Sequence, residues 1–365
     1  MNIGIIDADL IGRKKHRFPN LACMKISGYY KELGNAVKLL TNYYALENYD
    51  KVFISKVFTD TQIDDEILKL PNVEYGGTGF YFDKAPNLDC KIEHHKPDYH
   101  LYDDWVYGQI DKGYKKSEFD DYINSSIGFI TRGCFRKCEF CVNKKYDRAE
   151  MGSPISEFLD VSRKKISLWD DNFLAFPQWR ELLKSLIETN KPFQFRQGLD
   201  IRLMTEEKAK RFSEVKYSGD FIFAFDNIED RELIEEKLII WKKYITKTTK
   251  LYVFCGFDRN DKWNDDFWEQ DIIDTLERIK ILMEYGCIPY IMRFERYKES
   301  PYKDMYVTLA RWCNQPSMFK KKSFRTYCLD TKGQTEASAR YFRKYEENHK
   351  EIAKQYFDIK FSDFN

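Results

Sequence analysis

From residue 165 to residue 292 short apolar runs alternate with stretches of helical periodicity, and no other feature limits the fold as much. Runs at 165–169, 193–195, 221–225, 251–254 and 288–292 are short, apolar and bounded like strands. Between them Trp179, Leu182, Leu183, Leu186 and Ile187 recur at helical spacing. The segments 205–215, 229–244 and 266–285 also read as helices, the last stopped by Gly286. Ser153 and Pro154 read as the N-cap and first position of a further helix, through Ser162. Strands that each lead into a helix run parallel, because the helix carries the chain back to the end of the sheet where it began. With the apolar run just before Cys134 this makes six β-α units in a row, which fits an open, partial (β/α)6 barrel of the TIM type.

That first strand leads into 128–141, GFITRGCFRKCEFC, where Cys134, Cys138 and Cys141 stand at C-x3-C-x2-C. Three thiols this close, on a loop too short to be a helix face, suit one metal centre better than a disulfide, which would leave one over. A four-iron cubane is normally held by four cysteines, so three leave one iron open for chemistry. A zinc knuckle needs a fourth ligand nearby, and no His or Cys follows Cys141 until Cys255.

With the aromatic Phe140 just before the last cysteine, this loop resembles the signature of the radical S-adenosylmethionine (SAM) superfamily. The resemblance implies that Cys134, Cys138 and Cys141 hold a [4Fe–4S] cluster and that SAM chelates its open iron through amino and carboxylate groups. It further implies that Phe140 lies by the adenine. The reduced cluster would split SAM into methionine and a 5′-deoxyadenosyl radical that takes hydrogen from a substrate. A reducing electron donor of flavodoxin or ferredoxin type is implied as a partner. The strand tips, where such barrels keep their sites, suit this chemistry. Asp170, Asp171 and Asn172 follow the second strand, Gln197 the third, Asp226 the fourth, Gly256 and Asp258 the fifth, and Arg293 the sixth. In the family the second tip binds the SAM amino group through a Gly-Gly-Glu-like stretch. Here WDDN stands, so Asp170, Asp171 and Asn172 carry over by position. Asp226 would sit near the ribose hydroxyls, and Arg293 would pair the SAM carboxylate or an acidic substrate. Gln197, Gly256 and Asp258 complete the expected cofactor-binding set, and no catalytic residue is assigned. Against these roles, Asp and Asn are the favoured helix caps at β-α junctions.

A second α/β pattern precedes the cysteines. An apolar run at 3–6 ends at Asp7, a helix reads over 20–33 to Gly34, and strands read at 36–40, 52–57 and 73–75, the last running into Gly76, Gly77 and Gly79. This predicts a doubly wound, Rossmann-like domain over 1–82. Placed before a radical SAM signature, it resembles the cobalamin-binding domain of the B12-type branch. The D-x-H-x-x-G loop of His-ligating members is absent: the first loop reads DADLIGRKKHRFPN, and His16 has no glycine three residues on. Gly76 and Gly77 read equally as turn residues. Cobalamin is therefore an alternative cofactor, not an expected one.

The rest divides into a connector at 83–124 packed across both domains, the barrel at 125–299 and a C-terminal helical extension at 300–365, with a charged amphipathic helix over 335–357. His94 and His95 read as exposed loop residues, and Cys313 and Cys328 as buried or incidental thiols. With 60 Lys+Arg against 59 Asp+Glu the net charge is +1, so any anion-binding surface must be local. The run 319–328, FKKKSFRTYC, brings Lys320, Lys321, Lys322, Phe324 and Arg325 together, which suits an anionic substrate such as a nucleotide or phosphorylated metabolite. No apolar run approaches a bilayer span and no secretion signal opens the chain, so a reduced, cytoplasmic protein is expected. Two rival functions are a cobalamin-dependent methyltransferase of the same branch and a non-catalytic iron–sulfur or zinc protein that binds a partner.

Overall fold

A computed structural model describes residues 1–13, 18–330 and 335–364, so His16 lies outside the described residues. The chain forms two units, Met1–Gln197 and Gly198–Asn365.

In the first unit β1 (Asn2–Asp7), β2 (Ala36–Leu39), β3 (Lys51–Ser55) and β4 (Val73–Gly76) form a parallel sheet in the order β2-β1-β3-β4. Alternate residues of β1 feed different cores: Ile3 and Ile5 pack with the helix Leu21–Glu32, Ile6 with Leu46, Val52 and Ile54. A strand buried on both faces reads as a continuous apolar run, which is why NIGIID stands out in the sequence. Asn20 caps the helix by accepting from the Cys23 N–H, and Gly34 leaves it at φ 78°.

The segment expected as a connector is a layer of this core. Its short helices, Cys90–Glu93, Asp103–Asp111 and Asp120–Asn124, deliver Ile92, Val106 and Tyr122, and the segments between them Tyr99, Leu101, Tyr102 and Phe119, to the cluster around Ile3 and Ile5. Tyr102 donates to the buried Asp7 carboxylate at 2.8 Å and accepts from the Asn20 N–H at 3.0 Å. His94 is exposed beside Glu157 as expected. His95 is not: it is half-buried against the Tyr29 ring and bound to Glu32.

β5 (Ser125–Gly128), β8 (Lys165–Leu168) and β9 (Phe193–Phe195) form a parallel sheet in the order β5-β8-β9. Between β5 and β8 lies a small antiparallel pair, β6 (Thr131–Arg132) and β7 (Glu150–Met151). The edge of β5 is occupied by Tyr99, whose hydroxyl accepts from the Ile127 N–H at 2.8 Å and donates to the Phe158 carbonyl at 2.5 Å. The helix expected from Ser153 through Ser162 is one turn, Ile155–Phe158. Asp160 ends it: its carboxylate takes the Ser162 N–H and hydroxyl, and its own N–H goes to Ser126.

In the second unit β10 (Phe221–Ala224), β11 (Thr249–Cys255) and β12 (Ile288–Arg293) form a parallel sheet in that order. The six expected strands are thus present as two three-stranded sheets. Helices Glu206–Ser213, Arg231–Tyr244 and Asp265–Glu284 fall where the periodicity places them. Trp241, fully buried among Phe212, Phe221 and Phe223, bonds through its indole N–H to Thr249 at 2.9 Å. The extension holds Lys303–Cys313, Phe324–Leu329 and, in place of one long amphipathic helix, Glu336–Asn348 and Lys350–Tyr356, broken at His349. No described helix is long and apolar enough to cross a membrane.

Candidate functional site

The cysteines lie on the irregular segment 133–149 between β6 and β7, whose pairing of Thr131 with Met151 and Arg132 with Glu150 closes its base. Gly133, at φ 88°, has the Arg148 carbonyl and Tyr146 side chain where a Cβ would stand, so no other residue fits. Lys137 ties the two arms of the loop through the carbonyls of Lys144 at 2.6 Å and Tyr146 at 2.5 Å. The Cys141 N–H bonds back to the Cys138 carbonyl at 3.0 Å, closing a turn between these two residues.

The three thiols are half-buried. The Cys134 sulfur accepts from the Arg136 N–H at 3.4 Å and from the Asn172 side-chain amide at 3.3 Å, and the Cys141 sulfur accepts from the Asn143 N–H at 3.4 Å. Burial raises the Cys141 thiol, with Lys144 near enough to offset part of the effect. Donors aimed at sulfur favour the thiolate, the form that ligates metal. Among the described residues no three His, Cys, Asp or Glu side chains converge as a metal-binding set. The loop fits a cysteine-held cluster in its donor chemistry.

Beneath the loop, the tip of β8 supplies Asp170 and Asp171. Asp170 is fully buried and accepts from the Thr131 N–H at 2.6 Å, the Thr131 hydroxyl at 2.7 Å and the Ile130 N–H at 3.3 Å. Burial pushes its carboxyl up to about 7 against the pull of these donors. Asp171 accepts from the Gly133 N–H at 2.7 Å, and burial raises its carboxyl too. Both expected SAM contacts thus hold the backbone that enters the cysteine loop, and Asn172 touches Cys134 itself. Phe140 is half-buried within the loop, and Gln197 is exposed at the end of the unit.

The remaining expected residues belong to the second unit. Asp226, at the tip of β10, accepts from the Phe254 N–H at 3.3 Å, and burial pushes it up to about 6 against the nearby Arg278 guanidinium. Arg278 donates to the carbonyls of Phe225, Asp226 and Phe254 at 2.8–3.0 Å and so pins the tips of β10 and β11. Gly256, at φ 76°, donates its N–H to the half-buried Asp271 at 2.7 Å, which also takes the Tyr306 hydroxyl at 2.6 Å. Asp258 gathers the N–H groups of Asn260, Lys262 and Trp263; burial opposes them, but they hold its carboxyl below the usual range. Arg293 lies over the Tyr297 ring at 4.4 Å. Sequence reasoning missed Arg278 and Asp271. The signal was Asp271, Thr275 and Arg278 at i, i+4 and i+7 on the apolar stripe of their helix, where polar groups need partners.

The basic run is tied into the fold. Phe324 is fully buried against Trp312, Phe342 and Phe357, Lys322 pairs with Asp330, and Arg325 pairs with Asp358 and Glu346. Cys313 and Cys328 are buried, which raises both thiols.

At the switch point of the first sheet, the site of ligands in doubly wound folds, Asp9 bridges the ends of β1 and β3. It accepts from the Val57 N–H at 2.7 Å and the Thr61 hydroxyl at 2.5 Å. Gly77 and Gly79 let the chain pass the Lys56 carbonyl, a close approach unrelated to a ligand.

No family model and no curated protein matches this sequence. Solved structures do. The radical SAM methyltransferase TsrM from Kitasatospora setae, with cobalamin and a [4Fe–4S] cluster bound, matches over 80% of this chain and 72% of its own at 11% identity, with a TM-score of 0.52. The cobalamin-dependent SAM radical enzyme OxsB, with aqua-cobalamin and SAM bound, matches over 96% of this chain and 61% of its own at 13% identity and a TM-score of 0.48. The likeness to TsrM is one of fold: a mixed α/β chain built on parallel sheets.

Proposed function

We propose that the chain is a radical SAM enzyme. The observation that carries this reading is the C-x3-C-x2-C loop with N–H donors on two of its sulfurs and two carboxylates, one buried and one half-buried, holding its entry. Cys134, Cys138 and Cys141 would hold a [4Fe–4S] cluster, which when bound supplies the electron for reductive cleavage of SAM. Asn172 orients Cys134 and donates to its sulfur. Asp170 and Asp171 fix the loop backbone, and through it the position of SAM. Phe140 would flank the adenine, with Gln197, Asp226, Gly256, Asp258 and Arg293 as further SAM contacts and Arg293 meeting a carboxylate. The partners would be a one-electron donor and a small anionic substrate.

Anaerobic reconstitution should load about four irons per chain, the content of a cubane, and the product should release 5′-deoxyadenosine from SAM under reducing conditions. Stoichiometric zinc in anaerobically purified protein, with no deoxyadenosine, would favour a partner-binding protein instead. The fold likeness to TsrM favours a second reading, a cobalamin-dependent methyltransferase, against which the missing D-x-H-x-x-G loop weighs. A corrinoid absorption spectrum in protein from cobalamin-fed cells would establish it.

A further inference from the structure

Two helix-to-strand turns of the second unit meet at one edge of its sheet. The helix Arg231–Tyr244 carries Lys242 in its last turn, and the chain runs on through Thr246 and Thr248 into β11. The helix Asp265–Glu284 ends at Glu284, and Tyr285 and Gly286, the latter at φ 60°, turn the chain toward β12. Because β11 and β12 are parallel, both turns lie at the edge where these strands begin. There Lys242, Thr246, Thr248 and Glu284 line a cavity of about 500 Å³, which Lys320 and Phe361 of the C-terminal extension complete. The residues expected to meet SAM stand at the opposite edge: Gly256 follows β11, and Arg293 is the last residue of β12. The 7 extended residues of β11 hold the two edges roughly 20 Å apart.

The charges of this cavity do not cancel. Glu284 is paired with Lys280 at 3.3 Å. Lys242 donates to the Gly286 carbonyl at 3.1 Å, and the Lys320 ammonium lies 5.8 Å from the centre of the Phe361 ring. Neither of these two lysines has a carboxylate within ion-pair distance among the described residues, whereas Lys322 and Arg325 of the same basic run are neutralised. Ammonium groups are point charges with rotatable donors and suit a tetrahedral phosphate; a planar carboxylate is better matched by an arginine fork. The Thr246 and Thr248 hydroxyls add neutral donors. The volume is that of a small-molecule site and exceeds what a bare phosphate fills, and the half-buried Phe361 ring gives the remainder an apolar wall. We infer that the cavity binds a phosphorylated small molecule, with its phosphate at Lys242 and Lys320 and its organic part against Phe361. A strand's length separates this ligand from the tips that would meet SAM, so it is a second ligand and not the reacting substrate. The site is independent of the radical SAM reading.

The test is calorimetry on the reconstituted full chain, with uridine 5′-monophosphate, uridine and inorganic phosphate as probes. The monophosphate should bind more tightly than inorganic phosphate, and uridine should show no binding. Lys242→Gln and Lys320→Gln should each weaken both phosphate probes ~10-fold, the loss of one charged hydrogen bond. Phe361→Ala should weaken the monophosphate and leave inorganic phosphate as it was. Lys320 is exposed, so Lys320→Gln decides the matter even where Lys242→Gln disturbs the turn at Gly286. Lys321→Gln, next in the chain but outside the cavity, should match wild type. No binding of either phosphate probe would overturn the inference and leave the lysines as countercharges to the two helix ends. An equal loss in Lys321→Gln would overturn it in favour of a diffuse surface charge. Binding that survives Lys320→Gln but is displaced by SAM would also overturn it, by placing the probe at the strand tips.

Discussion

Asp170 and Asp226 both end a parallel strand, and desolvation raises both carboxyls, yet the molecule treats them differently. Asp170 is held by neutral donors alone, two backbone N–H groups and a hydroxyl from the strand entering the cysteine loop. Asp226 has a guanidinium beside it, and Arg278 at the same time pins three carbonyls across two strands. The first arrangement secures an irregular loop to a sheet; the second stiffens the sheet's own rim. An aspartate at a strand tip therefore marks a place where backbone must be held, and whether it meets ligand depends on what else comes within reach.

The largest effect should come from the loop that Asp170 serves. Cys138→Ala should abolish the cluster's charge-transfer absorption and all deoxyadenosine formation, read by iron analysis and product assay; retained iron would break the link between loop and function. Next, Arg278→Met should destabilise the second unit by about 3–5 kcal/mol, since it leaves Asp226 and three carbonyls without their buried partner. Denaturant unfolding measures this, and a cost below that of Asp170→Asn would erase the contrast.

Asp170→Asn should cost about 1–3 kcal/mol, the range for leaving a buried donor unpaired where the amide nitrogen replaces a carboxyl oxygen. It should also change the pH profile. The folded Asp170 carboxyl keeps its proton up to about pH 7, whereas the unfolded chain releases it near about 4. The folded state binds more protons in between, so this group makes stability fall as pH rises through that window. Unfolding midpoints followed across it should show the slope reduced in the variant. For Asp226 the same window closes at about 6. Asp171→Asn separates anchoring from ligand contact: as an anchor, its loss should lower iron retention along with SAM affinity, whereas weakened SAM binding at full iron content would make it a direct contact. Smallest, Tyr99→Phe should cost about 1 kcal/mol for the bonds it makes at the edge of β5, and unchanged stability would show that edge protected by other means.

The cysteine spacing and the β-α rhythm were legible because both are local: ligands of one centre cluster on one loop, and buried parallel strands are continuous apolar runs. The layer at 83–124 was not. Its core residues, Tyr99, Tyr102, Phe119 and Tyr122 among them, are aromatics at irregular spacing, each placed by a partner distant in sequence, such as Asp7 for Tyr102 or Ile127 for Tyr99. The run at Lys320–Arg325 hid its buried member for a related reason. Its composition suits a surface, but Phe324 lies at a helix start whose inner side meets Trp312 and Phe357, and the helix turns it inward.

The sequence by itself determined the class of fold, the close spacing of three cysteines on one loop and the row of polar residues at the strand tips, because periodicity and spacing are properties of neighbouring residues. Only the tertiary structure decided what those tips hold. Whether Asp170 faces a ligand or Thr131, whether Gly256 is a turn or a donor to Asp271, and whether Arg278 is a solvated charge or a clamp depend on groups brought together from elsewhere in the chain. A buried charge must find its partner wherever the packing places one, and that choice is made in space, not along the chain.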